Sequence, residues 1–155
     1  MPASEEKAHI CCCIHLRGAA RAVTALYDAA LESSGLRITQ FATLGALQRL
    51  GPTCLNSLAE AMRLDRTTLV RNLELLKKQG LVDEVCCSTK NCRDVEEGHK
   101  GRKARLVRIT ALGEAKRREI EPLRDQARAR LDAVLNPEEH VALEAILDKL
   151  LALHP

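Results

Sequence analysis

Residues 53–82, TCLNSLAEAMRLDRTTLVRNLELLKKQGLV, leave a chain of this size little choice of fold. Leu55, Leu58 and Met62 recur at helical spacing and predict a short helix. Arg63-Leu64 breaks the period, and Asp65 is a good N-cap for a second helix with Leu69, Leu73 and Leu76 on one face. Gly80 supplies its stop. The other face carries Thr67, Thr68, Arg71 and Lys78. Two short helices around a tight turn, the second polar and basic on its outer side, describe a helix-turn-helix.

The neighbouring segments extend this unit. Leu81–Val85 and Ala104–Ile109 have strand-like composition, with a long polar loop rich in Lys, Arg, Gly and Asn between them. Two strands around a basic loop, directly after a helix-turn-helix, make a wing. Before the unit, a first helix is predicted from about Glu6 to Ser33, stopped by Ser33-Ser34-Gly35. A second follows Thr39 and is ended by Gly51-Pro52. After it, a helix is expected from near Thr110 to about Leu135, with a bend or break at Pro122. The last helix has Asn136 as N-cap, Pro137 in its first turn and Glu139 as the capping-box acid. Its Leu143, Ile146, Leu147, Leu150 and Leu151 form a wide apolar face that must pack either in this chain's own core or against a second copy.

The expected fold class is therefore mainly α with a small two-stranded β-wing. The 155 residues are read as a single domain. Residues 6–34 and 111–155 would form a helical dimerisation lobe, and 39–110 a winged helix-turn-helix lobe. With Tyr27 and Phe41 as the sole aromatics, the core must be Leu, Ala, Val and Ile, which suits packed helices. The same scarcity argues against single-stranded nucleic acid, whose bases stack on aromatic rings. No stretch is apolar enough to span a bilayer, and no signal-peptide pattern opens the chain, so a cytoplasmic protein is expected, with no membrane partner.

Charge points to a polyanion. Between Arg63 and Arg108 there are twelve Lys/Arg against seven Asp/Glu, whereas the remainder of the chain is net negative. Arg66, Thr67, Thr68, Arg71 and Asn72 suit the major groove of double-stranded DNA. Their hydroxyl and guanidinium groups satisfy phosphates, while Arg and Asn can pair base edges in bidentate fashion. Lys78 and the loop residues Lys90, Arg93, Lys100, Arg102 and Lys103 complete the expected basic surface. One such module covers too little DNA for tight specific binding, so a homodimer reading two half-sites is expected. The motifs of phosphate-loop, G-x-S-x-G and H-E-x-x-H enzymes are missing, and no enzymatic activity is expected.

The stretches GLRITQFATLGAL (35–47), LAEAMRLDRTTLVRNLELLKKQGLV (58–82) and ARLVRITALGEA (104–115) resemble the MarR family of bacterial transcriptional regulators. The resemblance covers nearly the whole chain. It implies a triangular homodimer with both termini in the dimerisation lobe and a recognition helix at Arg66 to Gln79. It also implies a repressor released by a small-molecule inducer or by cysteine oxidation. The wing departs from the family. Gly101 and Lys103 stand where an Asp-x-Arg pair commonly shapes the wing tip, and the loop is several residues longer.

Seven cysteines, three of them consecutive, make a poor disulfide framework and fit a reducing compartment. Read as consecutive helix residues, Cys11, Cys12 and Cys13 point about 100° apart and cannot jointly chelate one ion unless that end of the helix unwinds. Cys13, close to a helix start with Arg17 one turn on, has the features that favour thiolate. In the resemblance, alignment on Gln40-Phe41 sets Cys13 at the reactive cysteine of the hydroperoxide-sensing branch and Tyr27 at a tyrosine partner. Ile38 occupies the place of that branch's second tyrosine. The competing reading makes all three small buried hydrophobes. Cys86, Cys87, Cys92 and His99 match no common zinc spacing, yet they offer four soft ligands with which zinc would staple the wing. Alternatives to the ligand- or redox-released regulator are a thiophilic metal or metalloid sensor, through Cys11–Cys13 or the wing cysteines, and a zinc-stapled protein-interaction module. Zn is the one cofactor considered.

Overall fold

The computed structural model describes residues 11–86 and 105–153. Six helices and one two-stranded sheet follow in the order α1 (Cys12–Leu31), α2 (Ile38–Leu50), α3 (Leu55–Met62), α4 (Arg66–Lys78), β1 (Val82–Cys86), β2 (Arg105–Ile109), α5 (Ala111–Asp132) and α6 (Pro137–Leu151). This is the mainly helical fold with a β-wing read from the sequence. Leucines and Ile120 dominate the core, with Phe41, Val82 and Val107 beside them: Leu31, Leu44, Leu47, Leu58, Leu69 and Leu76 are fully buried where α1 to α5 meet.

The start of α1 lies at Cys12, with Cys11 in extended conformation (φ −52°, ψ 130°) as its N-cap. Cys11 is thus outside the helix, and the even fan of three helical cysteines is corrected to two helical residues and one that precedes them. Residues Glu32–Ser34 form one 3₁₀ turn, and Gly35 in the left-handed conformation ends it. The second helix begins at Ile38, so that Thr39, after which it was expected to start, lies inside it. Asp28 of α1 explains why: its Oδ1 accepts the Ile38 N–H at 2.8 Å, and its Oδ2 pairs with the Arg37 guanidinium at 3.0 Å. Gln40 Oε1 accepts the Arg37 N–H at 2.9 Å. A carboxylate ten residues away in sequence, invisible to local reading, sets this helix start.

The strands pair antiparallel, with Val82 opposite Ile109 and Cys86 opposite Arg105. Thr53 adds a further backbone bridge to Val107 (N···O 3.0 and 2.8 Å), a pairing that the sequence did not suggest. Thr110 then joins three elements. Its hydroxyl donates to Gly80 O at 2.7 Å and accepts the Gly113 N–H at 3.0 Å, and its N–H donates to Leu81 O at 3.0 Å.

The expected break at Pro122 is corrected, and the open choice for the face of α6 is narrowed. Helix α5 runs unbroken through Pro122. Proline removes one i→i−4 hydrogen bond, but Ile120 and Ala127 are fully buried on either side of it, so packing holds the helix across the missing bond. Helix α6 has the expected capping box, Glu139 N–H to Asn136 Oδ1 at 2.9 Å and Asn136 N–H to Glu139 Oε2 at 2.8 Å. Its apolar face, however, does not enter this chain's core: none of its residues is buried, and Ile146 is 54% exposed and Val141 68%. No helix of the described residues is long and apolar enough to cross a membrane.

Candidate nucleic-acid interface

The turn between α3 and α4 is held by backbone geometry. Arg63 adopts the left-handed conformation (φ 51°), and its N–H and that of Leu64 return to Glu60 O and Ala59 O at 3.0 Å each. Cys54 is the N-cap of α3, its Sγ accepting the Ser57 N–H at 3.4 Å. Asp65 caps α4 through the Thr68 N–H at 2.9 Å. The hydrogen bond from the Thr68 hydroxyl, followed by that backbone bond, holds the Asp65 pKa below the ordinary carboxylate value.

Helix α4 turns Leu69, Leu73 and Leu76 into the core. At about 100° per residue, Thr67, Arg71, Glu74 and Lys78 then form the outermost row, and all four are exposed. Arg66, Arg71 and Lys78 make no ion pair among the described residues. Arg66 stands to one side, at the edge of a cleft of about 340 Å³ between α4 and the wing strands.

Two of the expected contact residues are placed differently. Asn72 falls beside the buried stripe. It is half-buried, and its Nδ2 is shielded from solvent with no hydrogen-bond partner among the described residues. Thr68 is exposed, but its hydroxyl donates to Asp65 Oδ2 at 2.6 Å. In this arrangement the hydroxyl has lone pairs to offer a base N–H and no proton for a phosphate.

The root of the wing carries charge that the sequence reading overlooked. Arg108 lies directly opposite Asp83 and grips it with two bonds of 2.7 and 2.9 Å. Each partner favours the charged form of the other, lowering the Asp83 pKa and raising that of Arg108. On the other face of the ribbon, Lys77 Nζ of α4 donates to Glu84 Oε1, and Arg105 Nη1 lies 3.7 Å from Glu84 Oε2. The Lys77 bond is the main cause of a lowered Glu84 pKa. Period-two alternation along the strands sets Asp83 and Glu84 on opposite faces, but their partners follow only from the strand register and the turn at Gly80.

Lys90, Arg93, Lys100, Arg102 and Lys103 lie outside the described residues, as do Cys87, Cys92 and His99. Cys86, at the end of β1, is exposed and free, and no group of three His, Cys, Asp or Glu side chains is placed to hold a metal among the described residues. Cys11, Cys12 and Cys13 are all exposed in the single chain. Cys13 is the second residue of α1. Tyr27 is half-buried on the same helix, fourteen residues on, or about 21 Å along the axis. The two cannot touch within one chain.

No family model matches the chain, and no curated protein matches it in sequence. Solved structures do match. The M. tuberculosis transcriptional regulator MosR, in complex with DNA, is 28% identical over 94% of this chain and 100% of its own, with a TM-score of 0.72. Bordetella bronchiseptica BpsR, whose DNA binding is regulated by 6-hydroxynicotinic acid, is 25% identical over 97% of both chains, with a TM-score of 0.76. The oxidized form of MarR from E. coli shares the fold at 21% identity over 92% of this chain and 95% of its own, with a TM-score of 0.67. Element order, helix-turn-helix, wing strands and these neighbours agree: the chain has the winged helix-turn-helix fold of MarR-family transcriptional regulators and resembles them over nearly its whole length.

Proposed function

We propose that the chain acts as a homodimeric, sequence-specific repressor on double-stranded DNA, with α4 in the major groove and the basic wing loop on phosphates or in the minor groove. It has no enzymatic role in this reading and works in the cytoplasm. The outward row of α4 carries the proposal: Thr67, Arg71 and Lys78 are exposed, and neither cation is spent on an ion pair among the described residues. The uncovered apolar face of α6, with Ile14 and Leu16 exposed near the start of α1, supports pairing of two copies.

Fluorescence anisotropy with the DNA upstream of the protein's own gene tests it. Binding should weaken steeply with salt. Arg71→Ala should cost about 1–3 kcal/mol, roughly 5- to 150-fold, on the specific duplex and far less on a scrambled one. Equal losses on both would reduce Arg71 to a phosphate contact. Binding insensitive to salt would overturn the reading.

For the signal, exposure of the cysteines favours oxidation. A Cys13 thiolate would attack a hydroperoxide, breaking its O–O bond to leave a sulfenic acid and an alcohol or water. A second thiol would then displace water to form a disulfide. With Tyr27 about 21 Å away along α1, any tyrosine assistance must come from a second copy. Stoichiometric peroxide should release DNA, and dithiothreitol should restore binding. A Cys13→Ser variant should stay bound throughout. A small-ligand reading is favoured by an open groove of about 460 Å³ along α1, where Arg21 and Arg37 flank Thr24 and Asp28. Under that reading a cysteine-free variant remains inducible.

A further inference from the structure

We propose that Glu84 is a specificity-setting positioning residue, which withholds Lys77 and Arg105 from the phosphate backbone and fixes the recognition helix to the wing root. The inference rests on the DNA-binding reading above. Along β1, Val82 and Glu84 point to the same face, as do Val107 and Ile109 opposite them. Val82 and Val107 are buried on that face, and Glu84, opposite Val107 and 37% exposed, stands where the face meets solvent. Two cations from different elements meet it: Lys77 from the last turn of α4 and Arg105 from the diagonal position on β2. Lys77 is one turn from Glu74 and next to Lys78 of the outer row, and Arg105 opens the strand that leaves the basic loop. Both are therefore close to where a duplex engaged by α4 and the wing must run.

Unpaired, each cation would meet any phosphate whatever the sequence, adding non-specific affinity and no discrimination. Paired, they restrain α4 against the wing, so that base-reading side chains and wing present one geometry. Glu84 thereby lowers affinity for random DNA more than for the cognate site.

Full-length Glu84→Gln keeps the shape of the side chain and removes its charge. Anisotropy titrations over a salt series should show scrambled-duplex affinity rising about tenfold. The slope of log K against log salt should steepen by nearly 2, about 0.9 for each freed cation. Cognate affinity should change little, so the specificity ratio narrows. The double variant Lys77→Gln/Glu84→Gln should give half that steepening. Glu138→Gln, an equal charge change on exposed α6, should leave the slope unaltered and so separates local release from net charge. Unchanged slopes for Glu84→Gln on both duplexes, with or without a shift in melting temperature, would overturn the proposal and make Glu84 structural. Failure of the wild-type protein to bind either duplex would overturn the DNA-binding reading and this inference together.

Discussion

The double substitution Ile146→Asp/Leu147→Asp is expected to yield a folded monomer whose operator affinity is at least about 100-fold weaker than that of the wild-type protein. Within one chain the change should be mild. Both positions are exposed, at 54% and 38%, and α6 buries no residue of its own, so the single chain loses little packing. Aspartate lowers helix propensity by only about 0.5 kcal/mol at each site. In a dimer the balance reverses. Two apolar side chains per copy forfeit about 1.5–3 kcal/mol each, and four carboxylates would be placed in an apolar interface without counter-ions. Sedimentation should therefore show a monomer, and circular dichroism a retained helical spectrum. The wild-type melting temperature should rise with protein concentration and that of the variant should not. A variant that stays dimeric would move the interface away from α6.

Gly113→Ala is expected to destabilise the protein by about 3 kcal/mol, a fall in melting temperature of roughly 6–12 °C. Helix propensity alone predicts the opposite sign, since alanine gains about 1 kcal/mol over glycine inside a helix. Close approach decides against it. A Cβ on Gly113 would lie 2.2 Å from the carbonyl oxygen of Leu81 and 2.8 Å from Ile109 Cγ1. The first of these is backbone, at the point where Thr110 links Gly80, Leu81 and Gly113. Relief requires α5 to move off the wing strands and the Thr110 cap to open. An unchanged or raised melting temperature would show that this junction yields without cost.

The helix-turn-helix was legible because its signals are local. Asp65 as cap, Gly80 as stop and the leucine stripe of α4 lie within one stretch of chain, and each appears where the spacing set it. The capping box of α6 was readable for the same reason. What escaped depends on distant partners. Asp28 advances the start of α2, Thr53 bridges Val107, and Lys77 meets Glu84 only after the chain has turned at Gly80. Pro122 misled because the propensity penalty was weighed without the packing of Ile120 and Ala127. For the candidate site, composition marked α4 as a helix with an exposed basic face but missed its angular detail. Asn72 fell beside the leucine stripe rather than outside it, and the donor of Thr68 is taken by Asp65.

The unbroken course of α5 has a mechanical consequence. Its first turn is fastened to the wing strands by Thr110, and its later turns pack on α1, so one rod of 22 residues, about 33 Å long, spans both ends of the molecule. A break at Pro122 would have made a joint that absorbs motion. A continuous helix passes it on: a tilt of about 5° imposed at its far end carries the wing root through about 3 Å, close to the spacing of successive base pairs. Small repacking at the remote end is thereby geometrically sufficient to put the reading elements of two copies out of step with successive grooves.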